Sequence, residues 1–211
     1  MSVKAKCTTN GLQVVVNLSV VSKNRGAGAG GSNTNKNGLL FEKNTLLDDK
    51  LNVVERVQNG KAKNSYYLKV DLMGRHLLKV EKGGLKSYLE SRGDFNKNCE
   101  KHLQPDEALI DAENKIIYVL EKKFQTGAGS VDEKLQTGLF KKEFYEEQYQ
   151  DYCIRYAYVL SDWFKKDKYN PEMRFLKKYN IPVFWASSEN YFQQIVEWLS
   201  VSSEDEWPSQ S

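Results

Sequence analysis

Between Pro105 and Lys123 the sequence runs through two apolar stretches separated by a short polar one, and no other segment restricts the fold so tightly. Ala108, Leu109 and Ile110 lead through Ala112-Glu113-Asn114-Lys115 into Ile116-Ile117-Tyr118-Val119-Leu120. Branched and aromatic residues bounded by turn formers read as strands, so 108–111 and 116–123 are expected to pair as a hairpin. The turn folds Asp106, directly after Pro105, back toward the far end of the second strand. Because side chains alternate across a strand, Val119, Glu121 and Lys123 share one face, and Leu120, Lys122 and Phe124 the other. The single residue between Glu121 and Lys123 is what sets the acid beside the lysine.

The rest of the chain supplies a context for that hairpin. Residues 13–21 read as a short strand and lead into Lys23-Asn24-Arg25 and a run rich in Gly, Ala and Ser, which favours a flexible loop. From Gly38 onward, Leu39, Leu40, Leu47, Leu51 and Val54 fall at helical spacing, with Asn35 or Asn37 available as a cap, and define a first core helix. Residues 66–71 and 76–80 alternate about Gly74 as a two-stranded ribbon, and 86–92 form a short helix. Downstream, 132–149 is rich in helix formers, 154–160 alternates as a strand, 171–179 is helical, 181–185 is a buried strand and 189–199 an amphipathic helix. An antiparallel hairpin followed by alternating helix and strand predicts an α/β (α+β) fold with a mixed central sheet flanked by helices. The expected organisation is an N-terminal strand and Gly-rich flexible loop over 1–37, one domain built around the hairpin over 38–201, and an acidic mobile tail over 202–211.

Composition narrows the possibilities mainly by exclusion. A chain of 211 residues with 40% apolar content can bury a substantial core, and none of its apolar runs approaches the ~18 residues that would cross a bilayer. Without a clean apolar stretch and cleavage site near the start, a secretory signal is not expected, and the cytoplasm is the expected location. Cys7, Cys99 and Cys153 are odd in number and widely spaced, which argues against a disulfide framework or a cysteine zinc site. His76 and His102 are the only histidines, so histidine metal sites or nucleophiles are poorly supported. The net charge of +3 permits a nucleic-acid partner without demanding one. Gly26 to Gly31 satisfies the spacing of a dinucleotide-binding loop, but Ser32 to Asn37 intervenes where a helix should begin, so a nucleotide cofactor is not expected.

Two carboxylates meeting at a strand end make a hard oxygen site suited to Mg²⁺, which accepts one or two protein carboxylates together with water and phosphate oxygens. A compact cation such as Lys123 beside them can hold an attacking water and offset charge on a phosphorane-like transition state. Asp111 is the rival for the first acid, but it lies nearer the turn, where pairing carries it away from Glu121. Taken alone, Glu-x-Lys is commonplace in a chain with 31 Lys and Arg and 28 Asp and Glu. The specificity lies in its combination with Pro-Asp, the two apolar strands and the polar turn.

That combination resembles the PD-(D/E)xK nuclease superfamily and, within it, the type II restriction endonucleases. The resemblance rests on Pro105-Asp106, Ala108-Leu109-Ile110, and Ile116 to Leu120 leading into Glu121-Lys122-Lys123. It implies an αβββαβ core and Mg²⁺-dependent cleavage of double-stranded DNA at a specific site, leaving 5′-phosphate and 3′-hydroxyl ends. Asp106 and Glu121 become metal ligands and Lys123 the catalytic lysine. Glu42 matches the acid that many members carry on the first core helix, with Glu55 as its alternative. Gln125 matches the polar residue that some place beside the site, and it could equally contact the DNA backbone.

Further DNA contacts are expected on both sides of this motif. Backbone N–H groups at Ser130 to Asp132 open toward a helix and can face a phosphate, and Lys134, Gln136 and Thr137 follow as contacts implied by the resemblance. Lys23, Arg25, Asn33 and Lys36 lie in or beside the Gly-rich segment, which serves either as a DNA-contacting loop or as a plain linker. Tyr145, Tyr149, Tyr152, Tyr156 and Tyr158 are expected in the core, and Lys165, Lys166, Lys168, Lys177 and Lys178 on solvated faces. Cutting both strands of a symmetric site further implies a homodimer. The competing readings are a non-catalytic DNA-binding protein on the same fold and a repair or junction-resolving nuclease.

Overall fold

The structure, a computed structural model, describes residues 32–59, 66–127 and 132–201. Within these residues seven strands make one sheet whose spatial order is the order of the sequence: β1 Asn52–Gln58, β2 Tyr66–Leu72, β3 Arg75–Val80, β4 Glu107–Asp111, β5 Ile116–Lys123, β6 Cys153–Leu160 and β7 Val183–Trp185. Neighbours from β1 to β5 are antiparallel, and β5, β6 and β7 are parallel. Among the described residues five α-helices accompany the sheet: α1 Ser32–Asn44, α2 Gly83–Arg92, α3 Gly138–Gln148, α4 Asn170–Lys178 and α5 Tyr191–Ser200.

Turn chemistry sets the strand pairing. Met73 and Gly74 both take positive φ, 54° and 80°, the two-residue turn whose twist suits a hairpin, and Gly74 N donates to Asp71 Oδ1 at 3.2 Å. Asp111 pairs with Ile116, and its carboxylate closes the intervening turn by accepting from Asn114 N at 3.0 Å. The parallel strands are linked through α3 and α4, as parallel strands require.

Two apolar cores lie on the two faces of this sheet. Leu85 and Leu89 of α2, Tyr145 of α3 and Leu176 of α4 cover Ala108, Ile110, Ile117 and Val119. Ile195, Trp198 and Leu199 of α5, together with Leu47 and Leu51, cover the opposite face at Leu109, Tyr118 and Leu120. With both faces covered, β4, β5 and β6 are buried almost throughout, which explains their nearly unbroken apolar sequences. The five tyrosines expected in the core are all buried there, and the five lysines assigned to solvated faces are exposed.

The first core helix differs from expectation. Helix α1 begins at Ser32, ahead of Asn35 and Asn37, so neither residue caps it, and it ends at Asn44. Leu39 and Leu40 are exposed; Leu47 and Leu51 enter the core from the connection beyond the helix; Val54 belongs to β1. Tertiary capture overrides the helical spacing there, because the Leu47 amide donates to the buried Glu107 carboxylate at 3.0 Å. Helix α3 likewise starts only at Gly138, after a 3-10 turn at Asp132–Lys134. The strand expected at 13–21, most of the Gly-rich segment, Cys7 and the tail from 202 lie outside the described residues. Among the described residues, Cys99 and Cys153 are free thiols, and no helix is long and apolar enough to cross a membrane.

Candidate active site

Alternation along β4 and β5 sends two sets of charged groups to opposite faces. Asp106, Glu121 and Lys123 fall on the face covered by α2, α3 and α4, while Glu107 and Lys122 fall on the other. On the first face the Lys123 ammonium donates to Glu121 Oε1 and to the Lys122 carbonyl at 3.1 Å, and lies 3.8 Å from Asp106 Oδ2. Asp106 Oδ2 is fixed by the Lys122 backbone N–H, which donates to it at 2.7 Å. The acid from before the hairpin, the acid on its second strand and the following lysine therefore meet at one end of the sheet.

A second ammonium completes the group. Lys141, on the first turn of α3, donates to Glu121 Oε1 at 2.5 Å, and its side chain is 25% exposed, the most open of the four. Tyr145, one helical turn further on, and Tyr156 and Tyr158 of β6 are buried close enough to Glu121 to feel its charge. Burial first, and Glu121 in addition, raise all three phenols well above their usual range, so they remain protonated and uncharged.

The two acids respond oppositely to this setting. Burial, and then the facing charge of Glu121, push the Asp106 carboxyl above its ordinary value against the pull of Lys123. Burial also works against ionisation of Glu121, but the ammoniums of Lys123 and Lys141 outweigh it and hold that carboxyl low. A pair of carboxyls driven apart in this way divides into one that is firmly charged and one that readily takes a proton. Among the described residues no three His, Cys, Asp or Glu side chains converge on one point. The oxygens that gather here are the two carboxylates and the Lys122 carbonyl around the Lys123 ammonium.

On the opposite face of the same strands lies a buried ionic cluster that the sequence reading missed. The fully buried Lys122 ammonium lies 2.8 Å from Glu107 Oε2 and donates to the carbonyls of Thr45 at 3.0 Å and Glu42 at 3.3 Å. Lys79 joins Glu107 at 3.2 Å and also binds Asp48 and Glu81. This clamp ties the end of α1 to β3, β4 and β5 directly behind the acids.

The remaining expected site residues are spread more widely. Glu42 reaches the same rim and its charge acts on Asp106, but its carboxylate pairs with Lys82 at 3.2 Å. Glu55, offered as its alternative on the first helix, instead lies on the edge strand β1 and pairs with Lys69 at 2.7 Å, three strands from β4. Asp111, as expected, stays away from Glu121 and pairs with Arg75 at 2.5 Å. Gln125 is buried, its main chain exchanges hydrogen bonds with the Ser161 hydroxyl at 3.1 and 3.3 Å, and its amide donates to the Gly127 carbonyl. Lys134, Gln136 and Thr137 are exposed ahead of α3, where the Lys134 carbonyl accepts from Thr137 at 2.8 Å and from Tyr158 at 3.1 Å. Asn33 and Lys36 are on α1, whereas Ser130, Lys23 and Arg25 lie outside the described residues. No protein-family model, curated protein or solved structure matches this chain.

Proposed function

We propose that this chain is a Mg²⁺-dependent endonuclease of the PD-(D/E)xK type, acting on double-stranded DNA as a site-specific restriction enzyme and working as a homodimer. The observation that carries the reading is the meeting of Asp106, Glu121 and Lys123 at one strand end, with a single ammonium in reach of both carboxylates. The succession of α1, antiparallel β3, β4 and β5, α3 and parallel β6 supports it, with β1 and β2 inserted after α1 and added at one edge, α2 inserted between β3 and β4, and β7 added at the other edge.

The donor set suits a hard divalent ion, since two carboxylates and a carbonyl are all oxygen ligands and Mg²⁺ completes its shell with water and phosphate. Asp106 and Glu121 would hold it; when bound, it supplies Lewis-acid polarisation of the phosphate and acidifies water. Lys123 positions the attacking water and balances the negative charge that builds on the non-bridging phosphoryl oxygens as the water attacks and the bond to the 3′ oxygen breaks. Buried phenols behind Glu121 exclude bulk water, which strengthens each of these interactions.

The test is cleavage of a plasmid with Mg²⁺ and with EDTA. Asp106→Ala and Lys123→Ala should each lower the cutting rate by at least about a hundredfold while a duplex is still bound. Undiminished cutting by either variant overturns the assignment. Discrete fragments identify the restriction type, cleavage confined to branched DNA identifies a junction-resolving enzyme, and binding without cutting in any divalent metal identifies a non-catalytic binder.

A further inference from the structure

Glu121 Oε1 carries two ammoniums at once, and only one of them comes from the Glu-x-Lys motif. Lys123 follows Glu121 on the same strand and is 15% exposed, so its position is set by the sheet. Lys141 belongs to a different element, is more open, and reaches inward on a flexible four-carbon stem. A lysine needed only for solubility would extend into water with far less loss of side-chain freedom. Lys141 instead turns toward a buried carboxylate beside Tyr145.

The geometry points to Lys141 as a phosphate-contacting residue that rests on Glu121 in the free protein and moves to the substrate phosphodiester once a divalent ion occupies the acid pair. The inference rests on the nuclease reading and extends it to a residue outside the motif. A carboxylate oxygen has room for about two partners, and on Oε1 both places are taken by ammoniums. A divalent ion drawn to Glu121 competes with them and repels whichever cation is freer to leave. That cation is Lys141, and the nearest negative group a bound duplex offers is a phosphate. In the free protein Lys141 therefore balances Glu121; in the complex it adds one phosphate contact without any change of fold.

Two measurements on the full chain test this. The first is Tb³⁺ binding, followed through emission sensitised by the phenols of Tyr145, Tyr156 and Tyr158, with Asp106→Asn as the control that abolishes the site. Lys141→Met should bind Tb³⁺ about tenfold more tightly, because a competing positive charge has gone. The second is duplex affinity across a salt series, in Ca²⁺ and in EDTA. The variant should lose about 0.9 from the slope of log K against log salt in Ca²⁺ and nothing in EDTA, where Lys141 stays on Glu121. Lys141→Arg should restore the Ca²⁺ slope. If the methionine variant fails to fold, Lys141→Gln carries the same two expectations.

Tighter Tb³⁺ binding with an unchanged Ca²⁺ slope reduces Lys141 to charge balance and overturns the phosphate contact; loss of slope in both buffers overturns the exchange. If wild type and Asp106→Asn bind Tb³⁺ equally and the wild type cuts nothing, the nuclease reading itself has failed, and Lys141 with it.

Discussion

Asp106 precedes β4 and Asp111 ends it, and the two acids sit in opposite electrostatic situations. Burial opposes ionisation of Asp111, yet the Arg75 guanidinium at 2.5 Å and hydrogen bonds from Asn114 outweigh it and hold the carboxyl below its usual 3.8. A depressed folded-state value means that Asp111 contributes stability fully above the ordinary carboxyl range and loses it as pH falls through the folded value. Asp111→Asn should therefore cost about 1–3 kcal/mol in urea denaturation at pH 7, and the deficit should shrink as the wild type is acidified below pH 3.8. For Asp106 the sign reverses: its raised value favours the folded state only at low pH, and that contribution disappears as pH rises through it. Asp106→Asn should accordingly raise stability at pH 7, read as a higher urea midpoint, while abolishing the proposed cleavage. A less stable Asp106→Asn protein would contradict the reading that burial and Glu121 oppose the charge on Asp106.

Helix α3 is seated by a close approach at its first residue. A methyl group placed on Gly138 would lie 2.9 Å from the Tyr158 ring and 3.3 Å from Leu176. Gly138→Ala should thus cost about 1–3 kcal/mol by overpacking, and it should also weaken cutting by displacing Lys141. Behind the acids, Glu107→Gln leaves Lys122 buried beside a neutral partner and should cost about 3–5 kcal/mol, whereas Glu107→Leu combined with Lys122→Met should cost far less. Urea midpoints of the single and double variants decide between those outcomes. The β4–β5 hairpin was readable because its apolar runs, turn and acid-lysine pair are local and mutually consistent. Strand β1 was not, since it lies exposed at the sheet edge and carries no buried alternation, while Leu51 and Val54 happened to continue a helical spacing. Glu107 and Lys122 carry no local signal of burial, because only packing from the end of α1 and the connection after it makes them interior. Lys141 could have been found from its place one turn before Tyr145, a residue already expected inside.

At the scale of the whole molecule, one sheet is the shared wall of both cores, so neither side can unfold while the other keeps its packing. Leu85→Ala on the α2 side and Ile195→Ala on the α5 side should each cost about 2–5 kcal/mol, and their effects should add within about 0.5 kcal/mol. Circular dichroism and tryptophan fluorescence, to which Trp198 in the α5 core and Trp163 and Trp185 beside the other core all contribute, should report a single coincident transition for the wild type, both single variants and the double variant. Separate transitions would divide the chain into independent units.

The strict succession of strands also bears on how the chain assembles. Each new strand finds its partner in the one just completed, so short loops close first and little entropy is lost before contacts form. A nascent chain can add the sheet strand by strand during synthesis, with Asp106, Glu121 and Lys123 brought together as soon as one hairpin closes. The proposed active centre would then be among the earlier features to take shape, and the long-range closure by α5 among the last.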